Sequence, residues 1–429
     1  MKVKANHNLL LIVFVAILSC ALIARDVLSI SVNKFILLGI CSVFLFVADE
    51  TTKISMIAFM LPLVCGLPST YIFLVIIALM LLRNRINMIT VVYFVVFIVL
   101  EFIGLAFGVH TLDNEVVKQI LFTCVFFLLL FTDEHVDYLQ CMKLYFAGAI
   151  LVSFVISAYS IMRAPENWLS LFSKGWYRFG DVALEEVAGM TLRLNSNSLA
   201  YFSLTGMLHG VILLTKVKKA AKGFVFGGVI FLDVAGVLSV SRSWLLVAGG
   251  CLVLMLLSQI TNPKRMIMLC VGLFVVAVVG ISLAQRFPEL FQGMVSRMTD
   301  SSIEGGNGRV DLMVEYFDLL FENARTALLG AGATYYRSAY GMTTSIHNGT
   351  LQIFLSYGII GGALFIFGML MPLRKKVGEN RVNLINWIPW IGTVVFAQTI
   401  QFLNPCYLML PYLISVYAVK QGRRSNRSL

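Results

Sequence analysis

The sequence predicts an all-α fold: a polytopic membrane helical bundle of about 12–14 transmembrane helices, with a large outer loop carrying short amphipathic helices. Three observations predict it. Of the 429 residues, 59% are hydrophobic and only 13% charged, against about a quarter charged in a soluble chain. Mean hydropathy is +0.88. Unbroken apolar runs recur along the whole length, each near the roughly 20 residues that cross ~30 Å of hydrocarbon. Their continuity excludes the short alternating strands of an outer-membrane barrel.

The elements follow in order. Met1-Lys2-Val3-Lys4 and the apolar run behind it resemble a signal peptide, and Leu18-Ser19-Cys20 a lipoprotein cleavage site. With a dozen further runs downstream, an uncleaved signal anchor is the expectation. Spans are placed at 8–24, 31–48, 53–66, 69–82, 87–107, 115–131 and 142–162, the third and fourth sharing a Gly66-Leu67-Pro68 turn. A break precedes 195–215, 222–239, 243–260 and 265–284, and a longer one precedes 347–371, 384–402 and 404–419. The organisation is therefore an N-terminal membrane part (1–162), an outer loop (163–194), a central membrane part (195–284), a large loop (285–346) and a C-terminal membrane part with its tail (347–429).

Charge sets the sides. With the amino terminus in the cytoplasm, 20 of the 33 basic residues fall in inner loops and tails, as the positive-inside rule requires. The net charge of +11 is thus a topological signal and not a nucleic-acid surface. Both termini are expected inside, and both long loops outside. The eight cysteines lie almost all in apolar runs without a CxxC pair, so neither a disulfide frame nor a zinc site is indicated.

Chemistry is expected on the outer face. Ten of its 13 basic residues are arginine, whereas the inner set has twelve lysines to eight arginines. Arginine suits planar, two-point contact with phosphate oxygens, while lysine mainly supplies topology and surface charge. The bland account pairs these arginines with local acids, and the large loop's five arginines do face seven acids, so only particular arginines matter. Arg242 opens a span almost directly after the previous one, in Leu238-Ser239-Val240-Ser241-Arg242. A charge there snorkels to the interface or faces a polar cavity. Asp233 in the preceding span is its expected partner, and Glu101 is the other main charge within a span.

Arg309 opens an amphipathic helix lying on the outer surface, with Val310, Met313, Val314, Phe317, Leu320 and Phe321 on one face and Asp311, Glu315, Asp318 and Glu322 opposite. The preceding Gly305-Gly306-Asn307-Gly308 lets backbone approach a ligand, and the free N–H groups of a first turn favour anions. Beyond a Tyr335-Tyr336-Arg337 cluster comes Ser345-Ile346-His347-Asn348. Ser345 is expected to cap the next span, leaving His347 in its first turn and held neutral by the positive helix end. A lone histidine is more often structural; this one has two arginine-bearing segments beside it. No DxD stands in the outer loops, and no GxSxG, HExxH or Walker loop occurs. Arginines and a neutral histidine without a metal motif can stabilise a leaving pyrophosphate while a base activates a hydroxyl, so no cofactor and no metal is expected.

These residues resemble the bacterial O-antigen polymerase and O-antigen ligase superfamily. The matching pieces are Ser241-Arg242 at a span start, Gly308-Arg309 in a large periplasmic loop, the Gly330/Gly332 turn, His347-Asn348 followed by Leu351 and Gly358-Ile359-Ile360-Gly361-Gly362, and the upstream Asn195-Ser196-Asn197-Ser198-Leu199-Ala200. The motifs cover mainly Arg193 to Gly362; their order, spacing and side carry the likeness. Where the family often has an aromatic four residues after the loop arginine, this chain has Met313. The resemblance implies metal-independent, inverting glycosyl transfer from undecaprenyl-pyrophosphate-linked sugars on the periplasmic face of the inner membrane. Arg242 and Arg309 would engage the donor pyrophosphate, and His347 would act on the acceptor hydroxyl as its base. Arg193, Asn195, Asn197, Arg337 and Asn348 are the substrate-contact candidates. Implied partners are lipid-linked glycans, membrane lipid and a chain-length regulator. A repeat-unit polymerase is the favoured reading; a ligase moving finished glycan to lipid A core is the nearest rival. A transporter is the rival of another class, disfavoured by the lack of two similar halves.

Overall fold

The structure, a computed structural model, describes residues 7–66, 86–106, 112–132, 136–174, 177–187, 190–258, 309–374, 384–403 and 408–424, with scattered positions between 267 and 295. Its helices are α1 (His7–Asp26), α2 (Lys34–Val47), α3 (Glu50–Gly66), α4 (Met88–Ala106), α5 (Asn114–Phe131), α6 (Tyr138–Met162), α7 (Trp168–Ser173), α8 (Ser196–Lys216), α9 (Lys219–Leu238), α10 (Arg242–Ser258), α11 (Arg309–Glu322), α12 (Ala324–Leu329), α13 (Tyr336–Ala339), α14 (Gly349–Leu370), α15 (Ile388–Ala397) and α16 (Met409–Arg424). Among the described residues, seven helices are long and apolar enough to cross a membrane, and three shorter apolar ones accompany them. The chain is an all-α polytopic bundle and a membrane-embedded protein. A two-stranded antiparallel hairpin, β1 (Val182–Val187) and β2 (Met190–Leu194), decorates the 163–194 connection. The expected spans 69–82 and 265–284, the Gly305–Gly308 glycines, and residues 404–407 of the last span lie outside the described residues or nearly so.

Side chains with little bulk let the central helices touch. A Cβ on Gly148 of α6 would meet the Phe59 carbonyl of α3 at 2.3 Å, and one on Gly206 of α8 would meet Ala149 and Leu232 at 2.7 and 2.8 Å. In hydrocarbon, where apolar burial alone drives no association, such close backbone approach supplies the packing. Polar ties then fix register: the Tyr145 hydroxyl lies 2.7 Å from that of Thr205, Tyr201 donates to the Leu408 carbonyl at 2.9 Å, and Tyr417 to the Leu129 carbonyl at 3.0 Å.

Two expected spans differ in form. The span expected at 384–402 is a 3-10 turn (Leu384–Asn386) followed by the ten-residue α15. Pro389 in its first turn starts the helix without an N–H to lose. Beyond it the chain leaves helical form, and the Phe402 and Leu403 N–H groups both donate to the buried Gln352 side chain of α14, at 2.7 and 3.0 Å. The span expected at 347–371 is interrupted: Gly358 inside α14 has φ 66° and ψ −173°. Any Cβ there would lie 2.3 Å from the backbone of Leu328, so the break makes room for α12, which packs into it.

That contact shows where the 309–346 segment sits. Gly358 lies nine residues into α14, about 13 Å along it, so α12 and the residues after it dip into the bundle and do not float above it. The Ala331 and Gly332 N–H groups donate to the Leu355 and Ser356 carbonyls of α14 at 3.1 and 2.8 Å. The 163–194 connection meets the same end of the bundle through Phe179, whose N–H donates to the Leu238 carbonyl at 3.3 Å.

Candidate functional site

Three elements deliver the site at the loop-bearing end of the bundle. The first is the α9–α10 turn. Its Val240 has φ 48° and is buried, a left-handed conformation that costs a β-branched residue of order 1–3 kcal/mol. This sharp turn makes Arg242 the first residue of α10, with the Ser241 side chain accepting the Trp244 N–H at 3.4 Å.

The second is α11, whose described residues run from Arg309 to Glu322. The third is the 344–348 segment, held by tyrosines. Tyr316 of α11 donates its hydroxyl to the Thr344 carbonyl at 2.6 Å, and the Ile346 N–H donates to the Tyr336 hydroxyl at 3.1 Å. Ile346 is wholly buried with Tyr316, Leu320, Tyr336 and Leu355 in a small apolar cluster of its own. Burial pushes the Tyr336 phenol up to about 12 and Tyr316 up as well, so both hydroxyls keep their protons at ordinary pH. Arg309 and His347 are thus carried by one packed unit.

Electrostatic influence runs through the three residues in order, from Arg242 to Arg309 and from Arg309 to His347. Burial, and then the Arg242 guanidinium, lower the Arg309 pKa from its ordinary value; an arginine nonetheless stays charged. Burial, and then Arg309, lower that of His347. Two adjacent guanidinium groups repel, and a neutral imidazole beside them adds no charge, so the arrangement favours a polyanion that bridges the cations. His347 itself makes no hydrogen bond among the described residues.

Several expectations are corrected here. The cap of α14 is Asn348, not Ser345: its side chain accepts the Leu351 N–H at 2.9 Å. His347 therefore precedes the cap instead of standing in the first turn, and its lowered pKa comes from burial and Arg309. Asn348 also approaches Met313 Sδ at 4.0 Å, so its groups serve the junction of α11 and α14. Among the described residues Asp233 forms no ion pair with Arg242; it sits half-buried in α9, five residues before the end of that helix.

The other candidates have the following places. Asn195 is the cap of α8, its side chain accepting the backbone N–H of Asn197 at 2.8 Å. Arg337 is exposed and reaches the Thr343 carbonyl at 3.5 Å, closing its own turn. Arg193 lies on β2, with its side chain outside the described residues. Sequence reasoning missed the two tyrosines that place His347. Tyr316 stands four residues from Leu312 and from Leu320, which gives core spacing only, and no local signal marks the hydroxyl partners of either tyrosine.

Among the described residues no group of three metal-binding side chains occurs. Compared with known proteins, the chain matches no family model, and no curated protein sequence matches it.

Proposed function

We propose that this chain polymerises oligosaccharide repeat units carried on undecaprenyl pyrophosphate, for an O-antigen, capsule or exopolysaccharide, on the outer face of the cytoplasmic membrane. The observation that carries the reading is that the Arg242 charge acts on Arg309, and the Arg309 charge with burial disfavours the charged form of His347, at the end of the bundle where both long connections lie. In this reading the donor's diphosphate bridges the two guanidinium groups. The acceptor sugar's hydroxyl oxygen attacks the anomeric carbon from the opposite side, and the bond from that carbon to the pyrophosphate oxygen breaks with inversion. The leaving pyrophosphate keeps the electron pair, stabilised by fixed positive charge, and the hydroxyl proton passes to a ring nitrogen of His347.

Deleting the gene tests the class of reaction. Single-repeat material capped on lipid A core, with no ladder, is the expected result; long polymer accumulating on undecaprenol would identify a ligase instead. Restoring the gene with Arg242→Ala, Arg309→Ala or His347→Ala is expected to leave the ladder absent at normal membrane levels. Each lost donor to a developing oxyanion costs about 10²–10³-fold in rate.

A further inference from the structure

Glu101 stands apart from the trio. It is 2% exposed and lies in α4, five residues from the loop-side end. Both its carboxyl oxygens receive the N–H of Ala333, at 3.2 and 3.3 Å, across 232 positions of sequence. Among the described residues the groups facing it are that N–H and the Tyr357 hydroxyl, and no cation is among them.

The surrounding polar atoms form a chain. The Tyr357 hydroxyl, from α14, faces Glu101, Thr123 and Gln119, and closes no hydrogen bond in the present arrangement. Gln119 Oε1 is also buried without a donor, while its Nε2 donates to Thr123 Oγ1 at 3.2 Å. Donors and acceptors balance in one scheme. A protonated Glu101 donates to the Tyr357 oxygen, the Tyr357 O–H donates to Gln119 Oε1, and the second Glu101 oxygen keeps Ala333. An ionised Glu101 would claim the Tyr357 proton, leave Gln119 Oε1 orphaned and place an uncompensated charge inside the bundle, each costing more than a closed chain.

Backbone ties on either side extend the attachment. Ala331 and Gly332 bond to carbonyls of α14 just before its break, and the Tyr335 hydroxyl donates to Asp113, the cap of α5. A Cβ on Gly330 would meet the Ser356 carbonyl oxygen at 2.4 Å, so this stretch has little room to shift. Arg309 lies before it and His347 after it.

We propose that Glu101, acting as a neutral acid, latches the 330–335 segment into the bundle and thereby sets where the packed unit bearing Arg309 and His347 sits relative to Arg242. Glu101 is thus a positioning residue. Its effect on turnover rests on the polymerase reading; the latch itself does not.

Hydrogen exchange on the purified full chain, followed by mass spectrometry over 328–340, tests it, with donor turnover measured on the same samples. Glu101→Gln keeps an oxygen for Ala333 and a donor for Tyr357, so protection and turnover are expected to stay near wild type. Glu101→Leu removes both. Its 331–333 amides are expected to exchange about tenfold faster, the equivalent of one buried hydrogen bond, with α4 and α14 unchanged. Turnover is expected to fall by a similar factor, with KM for the lipid-linked donor little altered.

Unchanged exchange in Glu101→Leu overturns the latch, even if the protein proves inactive on every glycan. Loosened exchange with normal turnover overturns the positioning role. Lost turnover in a folded Glu101→Gln would mean that the ionisable proton itself is used, and would also overturn it. Should Glu101→Leu fail to fold, Tyr357→Phe reads the same chain: it removes the acceptor of the Glu101 proton and is expected to loosen the same amides, and protection left intact there would contradict the scheme.

Discussion

At His347, two effects push the same way: burial and the Arg309 charge both disfavour the imidazolium. Because the folded pKa lies below the ordinary 6.5, the unfolded chain binds this proton more readily. The contribution to stability is full above pH 6.5, declines as pH falls through that value, and levels off once pH passes below the folded pKa. A base that must be neutral then works further into acid than a free histidine does, and the acid limb of the rate profile is expected below 6.5. Removing the charge in Arg309→Gln is expected to move the His347 pKa upward, which exchange of the imidazole C2 proton reads directly even in an inactive variant. A downward or absent shift would separate the two residues. Lysine is no substitute for either arginine: it is a point charge without the planar fork. Arg242→Lys and Arg309→Lys are each expected to lose at least about tenfold in turnover, and wild-type rates would show that simple charge suffices.

Among elements, α11 has three faces where the sequence suggested two. At 100° per residue, Val310, Val314, Phe317 and Phe321 form a stripe, each more than half exposed. Asp311, Glu315, Asp318 and Glu322 form a second stripe, and the buried Tyr316 and Leu320 mark a third face turned to the protein. Such a helix suits a boundary where protein, lipid and water meet. Nitroxides scanned along it in liposomes are expected to be reached by oxygen at the apolar stripe and by a water-soluble nickel chelate at the acidic one; nickel access at both would lift the helix off the membrane. The 310, 314, 317, 321 spacing was legible in the sequence. That Met313 and Leu320 turn elsewhere was not, because the small cluster they join is assembled from residues 312 to 355. The break at Gly358 is similar: a glycine in an apolar run is unremarkable until Leu328 is known to occupy the place of its side chain. Gly358→Ala, with φ 66° and a 2.3 Å contact against it, is expected to cost at least about 2 kcal/mol, seen as a lowered Tm in detergent.

Over the whole molecule, hydropathy alone marked most membrane helices to within a few residues, because crossing hydrocarbon demands length and apolarity from each segment independently. α4, α5, α8 and α9 lie where the runs placed them. The ends stitched by distant partners were less legible: α15 stops early so that Phe402 and Leu403 can bond to Gln352, a pairing that no local pattern announces. In the candidate site, Arg242, Arg309 and His347 could be picked out by residue type and position at element ends, whereas the Glu101 to Ala333 tie spans 232 residues and shows in sequence only as an isolated acid. The bundle holds the α9–α10 turn, and the α11-to-His347 unit is docked against α14, so the site exists only when both halves of the chain are packed. The measurement that reaches the central claim most directly is polymerisation by the purified protein, given undecaprenyl-pyrophosphate-linked repeat units in detergent with a chelator present. Chains longer than one repeat, with matching release of undecaprenyl pyrophosphate, and loss of both in Arg309→Ala and His347→Ala, are expected. Elongation that survives in those variants, or folded wild-type protein that leaves the units unjoined, would contradict the account.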